Sequence, residues 1–134
     1  MTNAEFGRAT EARFVMDALS RGLLVSRPTP DAPGYDAVVD CRGSLKRVQV
    51  KGSRPSRGKP SGRSRRVYRV NVGRRRRSGK INRRHKRYDV LAVWLNRDNS
   101  WLFIPRRRVK GNGLMNLTIG GSNLRRLDNW NLFL

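Results

Sequence analysis

The sequence predicts an α/β (α+β) domain in which an N-terminal helix precedes a mixed central β-sheet, closed by a flanking helix or C-terminal element. Three observations carry this. Residues 3–21 place apolar side chains at helical spacing. Residues 35–105 hold short runs that alternate or are continuously apolar, bounded by Gly, Pro, Asn and Asp. No repeat and no heptads interrupt this order, and 134 residues fit one domain, 1–134.

The elements follow in turn. "NAEFGRATEARFVMDALSR" is a helix that Thr2 or Asn3 caps and Gly22 stops. Ala12, Val15, Met16 and Leu19 form its expected core stripe. "LLVSR", 23–27, is a strand ended by the proline-rich "PTPDAPG". "YDAVVDC", 35–41, and "SLKRVQVKG", 44–52, form a hairpin about a Gly43-Ser44 turn. "VYRVNV", 67–72, alternates as a strand. "VLAVWL", 90–95, is apolar nearly throughout and reads as a central buried strand. "WLFIP", 101–105, pairs with it after the turn "NRDNS", and Trp94 and Trp101 belong to the core. "LMNLTI" is a short strand, and "SNLRRLDNWNLF" a terminal helical turn that docks Trp130 and Phe133.

Charge narrows the partner. The chain carries 31 Lys+Arg against 9 Asp+Glu, a formal +22. Fifteen of the positive charges lie in two segments: 53–66, which has no apolar residue and cannot form core, and 74–87. These are expected to be flexible basic loops that neutralise DNA phosphates. Their DNA-contacting residues are Arg54, Arg57, Lys59, Arg63, Arg65 and Arg66 in the first, and Arg74, Arg75, Arg76, Arg77, Lys80, Arg83, Arg84, Lys86 and Arg87 in the second. His85, inside the second run, reads as a phosphate-contacting or solvent residue. No stretch reaches the roughly 18–20 apolar residues of a membrane span, and the N-terminus lacks a signal-peptide layout. One cysteine, Cys41, makes neither an internal disulfide nor a zinc cluster, which points to a reducing cytosol.

The chemistry is sought where acids are out of place. With a Gly43-Ser44 turn, 40 faces 47, 38 faces 49 and 36 faces 51. Asp40–Arg47 is then a solvated ion pair. Asp36 with Lys51 has two readings, a second such pair or part of a site with Gln49. Glu11 lies about 40° from Val15 and about 20° from Ala18 on the helix wheel, hence on the core-facing side. A carboxylate there needs a partner: an arginine, solvent at the boundary, or a metal. Glu11, Asp36, Gln49 and Lys51 together make a hard-oxygen pocket beside an ammonium, suited to Mg²⁺ (or Mn²⁺). Such an ion polarises a phosphate and acidifies a water.

Asp36 followed by Gln49-Val50-Lys51 resembles the PD-(D/E)XK nuclease superfamily, in its subgroup with glutamine for the usual acid. "GRATEARFVMDALSRGLLV" looks like its first helix, with Glu11 as the active-site glutamate. "YDAVVDCRGSLKRVQVKG" is similar to its catalytic hairpin, and "YRVNV", "YDVLAVWL", "WLFIPRRRV" and "DNWNLF" to the later elements. The likeness is to small homing endonucleases and, more distantly, archaeal Holliday-junction resolvases. It implies a restriction-endonuclease-like core and a Mg²⁺-dependent DNA endonuclease of a bacterial, archaeal or phage-infected cell. Asp36 would be the essential metal ligand, with Gln49 offering its amide oxygen, Val50 its carbonyl and Glu11 a carboxylate. Lys51 would act on water and phosphate. The sequence departs from the family at Tyr35, where proline is usual, and at Gln49, which lowers the site's negative charge by one unit. Cutting both strands with one site per chain implies a homodimer or higher homo-oligomer. The alternative is a non-catalytic basic nucleic-acid-binding protein, which has no need of an inward carboxylate beside an ammonium.

Overall fold

The computed structural model describes residues 1–29, 34–53, 66–73, 87–110, 113–120 and 125–134. Helix α1 spans Asn3–Ser20. Thr2 caps it: its side chain accepts from the Glu5 amide, and the Glu5 carboxylate accepts from the Thr2 amide. Gly22, at φ 77°, ends it, with the Leu23 amide reaching back to the Ala18 carbonyl.

Among the described residues seven strands follow: β1 (Leu24–Ser26), β2 (Ala37–Cys41), β3 (Ser44–Ser53), β4 (Arg66–Asn71), β5 (Val90–Leu95), β6 (Ser100–Pro105) and β7 (Leu114–Ile119). The central sheet has the order β1-β2-β3-β5-β6. It is mixed, since only the β3–β5 pairing is parallel. β4 and β7 leave it and form a separate antiparallel ribbon. Short 3-10 turns occupy Arg106–Arg108 and Trp130–Phe133. Among the described residues α1 is the only α-helix.

Each face of the central sheet has its own core. On one face Phe14 and Ala18 of α1 pack with Val39, Val48, Val50, Trp101, Trp130 and Phe133. The other face meets the ribbon through Leu91, Val93, Leu95, Tyr68 and Val70. β5 is therefore buried along its whole length, as its apolar run predicts. Trp94 and Trp101 are buried, and Trp130 and Phe133 dock as expected.

Two expectations need correction. Of the expected stripe Ala12, Val15, Met16 and Leu19, only Val15 is half-buried and the other three are exposed; the helix buries Thr10, Phe14 and Ala18 instead. The cause is the aromatic cluster. Phe14 stacks on Trp130 and meets Trp101, Phe103 and Phe133 edge-on, a larger buried payload than Met and Leu offer. Thr10 satisfies its hydroxyl by donating to the Phe6 carbonyl.

The hairpin turns at Arg42-Gly43, not Gly43-Ser44. Both residues take positive φ, 53° and 89°, the mirror-image turn whose twist suits a hairpin. The Asp40 carboxylate holds the turn by accepting from the Gly43 amide at 2.7 Å. The register moves by two residues, so Asp40 pairs with Leu45 and Val38 with Arg47. A shift of two keeps every side chain on its face but changes its partner. Arg47 consequently bonds Asp89 in place of Asp40.

Candidate active site

The shifted register sets the site. Asp36 stands just before β2, its amide bonded to the Val48 carbonyl at 2.8 Å. One pair further along this ladder, Asp36 comes opposite Gln49 rather than Lys51. Its Oδ2 accepts from Gln49 Nε2 at 2.6 Å and from the Val50 amide at 2.8 Å. Backbone groups of alternate strand residues point to the same edge. The Val50 carbonyl therefore opens on the side where β2 has ended and Asp36 stands. Gln49 is buried, while Lys51 is half-buried one step beyond.

Glu11 reaches this group from α1. Its carboxylate is partly exposed and bonds Arg27, just past β1, at 3.1 Å. Burial pushes its carboxyl above the ordinary range, and the negative charge of Asp36 pushes it further. Arg27 and Lys51 pull it back. Four residues remote in sequence thus share one electrostatic neighbourhood: Glu11, Arg27, Asp36 and Lys51. Of the partners that a half-buried Glu11 could take, the structure gives it an arginine.

Sequence reasoning overlooks three contributors. Arg27 reads there as no more than a strand end. Gly52 lies where α1 crosses β3; a methyl there would meet Phe6 Cε1 at 2.3 Å and Thr10 Oγ1 at 2.9 Å. A glycine inside a strand pattern is the signal for such a close approach. Asp98, in the β5–β6 turn, takes the Arg66 guanidinium and the Tyr68 hydroxyl, and its side chain is only 5% exposed. These bonds hold the carboxyl of Asp98 below the ordinary range, whereas burial and Asp98 push the Tyr68 phenol up to about 12. Ser53 adds a bond to the Arg69 carbonyl at 2.8 Å, tying the end of β3 to β4.

Of the expected DNA contacts, Arg66 is committed to Asp98 and Arg87 is exposed. Arg54, Arg57, Lys59, Arg63, Arg65, Arg74, Arg75, Arg76, Arg77, Lys80, Arg83, Arg84 and Lys86 lie outside the described residues, as does His85. Cys41 is a half-buried free thiol that burial pushes up in pKa. No helix among the described residues is long and apolar enough to cross a membrane.

A sequence model of the PD-(D/E)XK endonucleases matches residues 1–131. The chain belongs to the PD-(D/E)XK endonuclease family. Among solved structures it is similar to a bacterial homing endonuclease, I-Ssp6803I, with a TM-score of 0.74 and 21% identity. That match covers 98% of this chain and 93% of the other, and it shows the restriction-endonuclease-like fold. No curated protein matches the chain. In this nuclease the helix, the hairpin and the parallel β3–β5 pair are the parts that bring Glu11, Asp36, Gln49 and Lys51 together.

Proposed function

We propose that this nuclease is a divalent-cation-dependent DNA endonuclease that hydrolyses phosphodiester bonds. One observation carries the reading. Glu11 and Asp36 lie close enough for Asp36 to raise the Glu11 carboxyl, with Gln49 bonded to Asp36 and Lys51 alongside.

The donors fit a hard cation such as Mg²⁺ or Mn²⁺. Among the described residues no group of three or more His, Cys, Asp or Glu gathers. Neutral oxygens must therefore complete the set: the Gln49 amide and the Val50 carbonyl beside Asp36 and Glu11. Gln49 gives its N–H to Asp36. A half-turn of the amide puts the oxygen in the same place. Bound there, the cation would supply charge neutralisation of the scissile phosphate and a lowered pKa for water.

The chain's own residues do the rest. The bond from the Val50 amide aims Asp36. Lys51 presents an ammonium that can orient the attacking water and offset charge on the phosphorane. Glu11, held by Arg27 at 3.1 Å, is placed to orient that water. Arg27 limits the repulsion between the two carboxylates. The fifteen basic residues of 53–66 and 74–87 supply the DNA phosphate contacts apart from Arg66, which serves the fold.

The test is Asp36→Ala assayed on duplex, nicked and four-way-junction DNA with Mg²⁺. Cleavage is expected to vanish while binding in Ca²⁺ persists. If the unmodified protein binds every substrate and cuts none, in Mg²⁺ or Mn²⁺, the chain is a binder and not an active nuclease.

A further inference from the structure

The ribbon of β4 and β7 has two unlike faces. Its inner face packs on the central sheet through Tyr68, Val70 and Ile119, all buried. Along its outer face Arg69 and Asn71 of β4 and Leu114, Asn116 and Thr118 of β7 are exposed. The register sets Arg69 directly opposite Asn116, with Asn71 opposite Leu114 and Val67 opposite Thr118. Neither strand carries an acid. Arginine, asparagine and threonine are side chains that bond base edges in the major groove of DNA.

A groove of about 770 Å³ runs between β6 and β7. Asn116 and Thr118 line it together with four cations, Arg107, Arg108, Lys110 and Arg126, and with no acid among the described residues. The polar face of the ribbon therefore adjoins a channel whose charge suits a polyanion. The ribbon is also fixed to the strand that carries Lys51. Ser53, two residues further along β3, bonds the Arg69 carbonyl at 2.8 Å. Asp98 holds Arg66 and Tyr68 of the same ribbon strand.

We propose that the β4–β7 ribbon enters the major groove of duplex DNA and reads its sequence: Arg69 and Asn116 bond base edges, and the cations of the β6–β7 groove hold the adjoining phosphates. The inference rests on the nuclease reading for its substrate and adds where that substrate is recognised. The dimensions agree. A major groove about 12 Å wide admits a two-stranded ribbon. Side chains two residues apart on one strand face are about 6.5–7 Å apart, which is two base-pair steps of about 3.4 Å. Duplex RNA does not fit, since its major groove is deep and narrow. The Arg69 guanidinium matches O6 and N7 of guanine, and the Asn116 amide matches N6 and N7 of adenine. Because β3 carries both Lys51 and the Ser53 tie to Arg69, the bases read stand at a fixed offset from the bond that is cut.

The test is selection by the full chain, in Ca²⁺, from a duplex library with a randomised central segment, followed by affinity measurements on the selected site. The unmodified protein is expected to enrich a motif. Arg69→Ala and Asn116→Ala should each lose preference at discrete positions and bind the selected site about 5–150-fold more weakly. Their melting temperature, affinity for unrelated duplex and salt slope should not change, because both side chains are exposed. Arg69→Gln should turn a preference for guanine into one for adenine, an outcome that misfolding does not produce. Arg107→Gln/Arg108→Gln should do the converse, keeping the motif while the salt slope falls by up to about 1.8. An unmodified protein that enriches no motif overturns the proposal, as do Arg69→Ala and Asn116→Ala proteins that keep the motif intact. A protein that cuts nothing in Mg²⁺ yet loses its motif on Arg69→Ala supports the ribbon and refutes the nuclease reading, whereas one that cuts without base preference does the reverse.

Discussion

Replacing Gly52 with alanine puts one methyl group where α1 crosses β3. Its nearest neighbour, Phe6 Cε1, would lie at 2.3 Å, short by about 1.2 Å of an ordinary carbon contact of about 3.5 Å. Phe6 Cζ and Thr10 Oγ1 would lie at 2.8 and 2.9 Å. The strand backbone itself accepts alanine, so the whole effect is steric. The clash is relieved by a turn of the Phe6 ring or by a shift of α1, and the Thr10 hydroxyl, tied to the Phe6 carbonyl, resists moving by itself. Overpacking of this kind costs about 1–3 kcal/mol, read as a lower urea midpoint with an unchanged slope. Glu11 follows Thr10 directly and moves with it. A misplacement of about 1 Å at a catalytic centre costs up to about 100-fold in rate. Cleavage by Gly52→Ala is therefore expected to fall by about 10–100-fold while DNA affinity holds. Phe6→Ala in the same chain relieves the clash and should restore a large part of the rate, giving a non-zero coupling energy. Gly52→Ala with unaltered stability and cleavage would refute the idea that close helix–strand approach positions Glu11.

Further outcomes follow from the same contacts. Gln49→Glu replaces a donor to Asp36 with a third acid, so it should lower the melting temperature in EDTA and enlarge the stabilisation by Mg²⁺; an equal Mg²⁺ effect in both proteins removes Gln49 from the ligand set. Asp98→Ala leaves the buried Tyr68 hydroxyl unpartnered and should cost about 1–3 kcal/mol in urea unfolding. The Tyr68 phenol sits at about 12 in the fold and at about 10 when unfolded. Its contribution to stability is therefore full below about pH 10 and is lost as pH rises towards about 12, and Tyr68→Phe should flatten that part of the unfolding profile. Exchanging four arginines of 74–87 for glutamine should reduce the slope of log affinity against log salt by up to about 0.9 per lost phosphate contact; an unchanged slope places those arginines outside the interface.

Much of this protein was legible in its sequence. β5 and β7 occupy the spans that their patterns mark, 90–95 and 114–119. The capping residues, the burial of the tryptophans and the half-buried position of Glu11 were readable because each depends on local chemistry or on periodicity. The candidate site could be assembled because face membership survives a two-residue error in register. The partner of each residue did not survive it: Asp36 meets Gln49, and Arg47 meets Asp89. Turn type decided that, through an arginine at positive φ that the preference for glycine, asparagine or aspartate does not foresee.

Helix orientation was likewise beyond periodicity. Two apolar arcs run along α1, and hydrophobicity alone favoured Met16 and Leu19. The winning arc contains Phe14 because Trp101, Phe103, Trp130 and Phe133, distant in sequence, are brought together to receive its ring. Composition and local pattern settled which residue types stand ready for phosphate chemistry and where along the chain the charge lies. Which pairs touch, and which helix face is left bare, was settled in three dimensions, since both follow from contacts between segments that no local pattern connects.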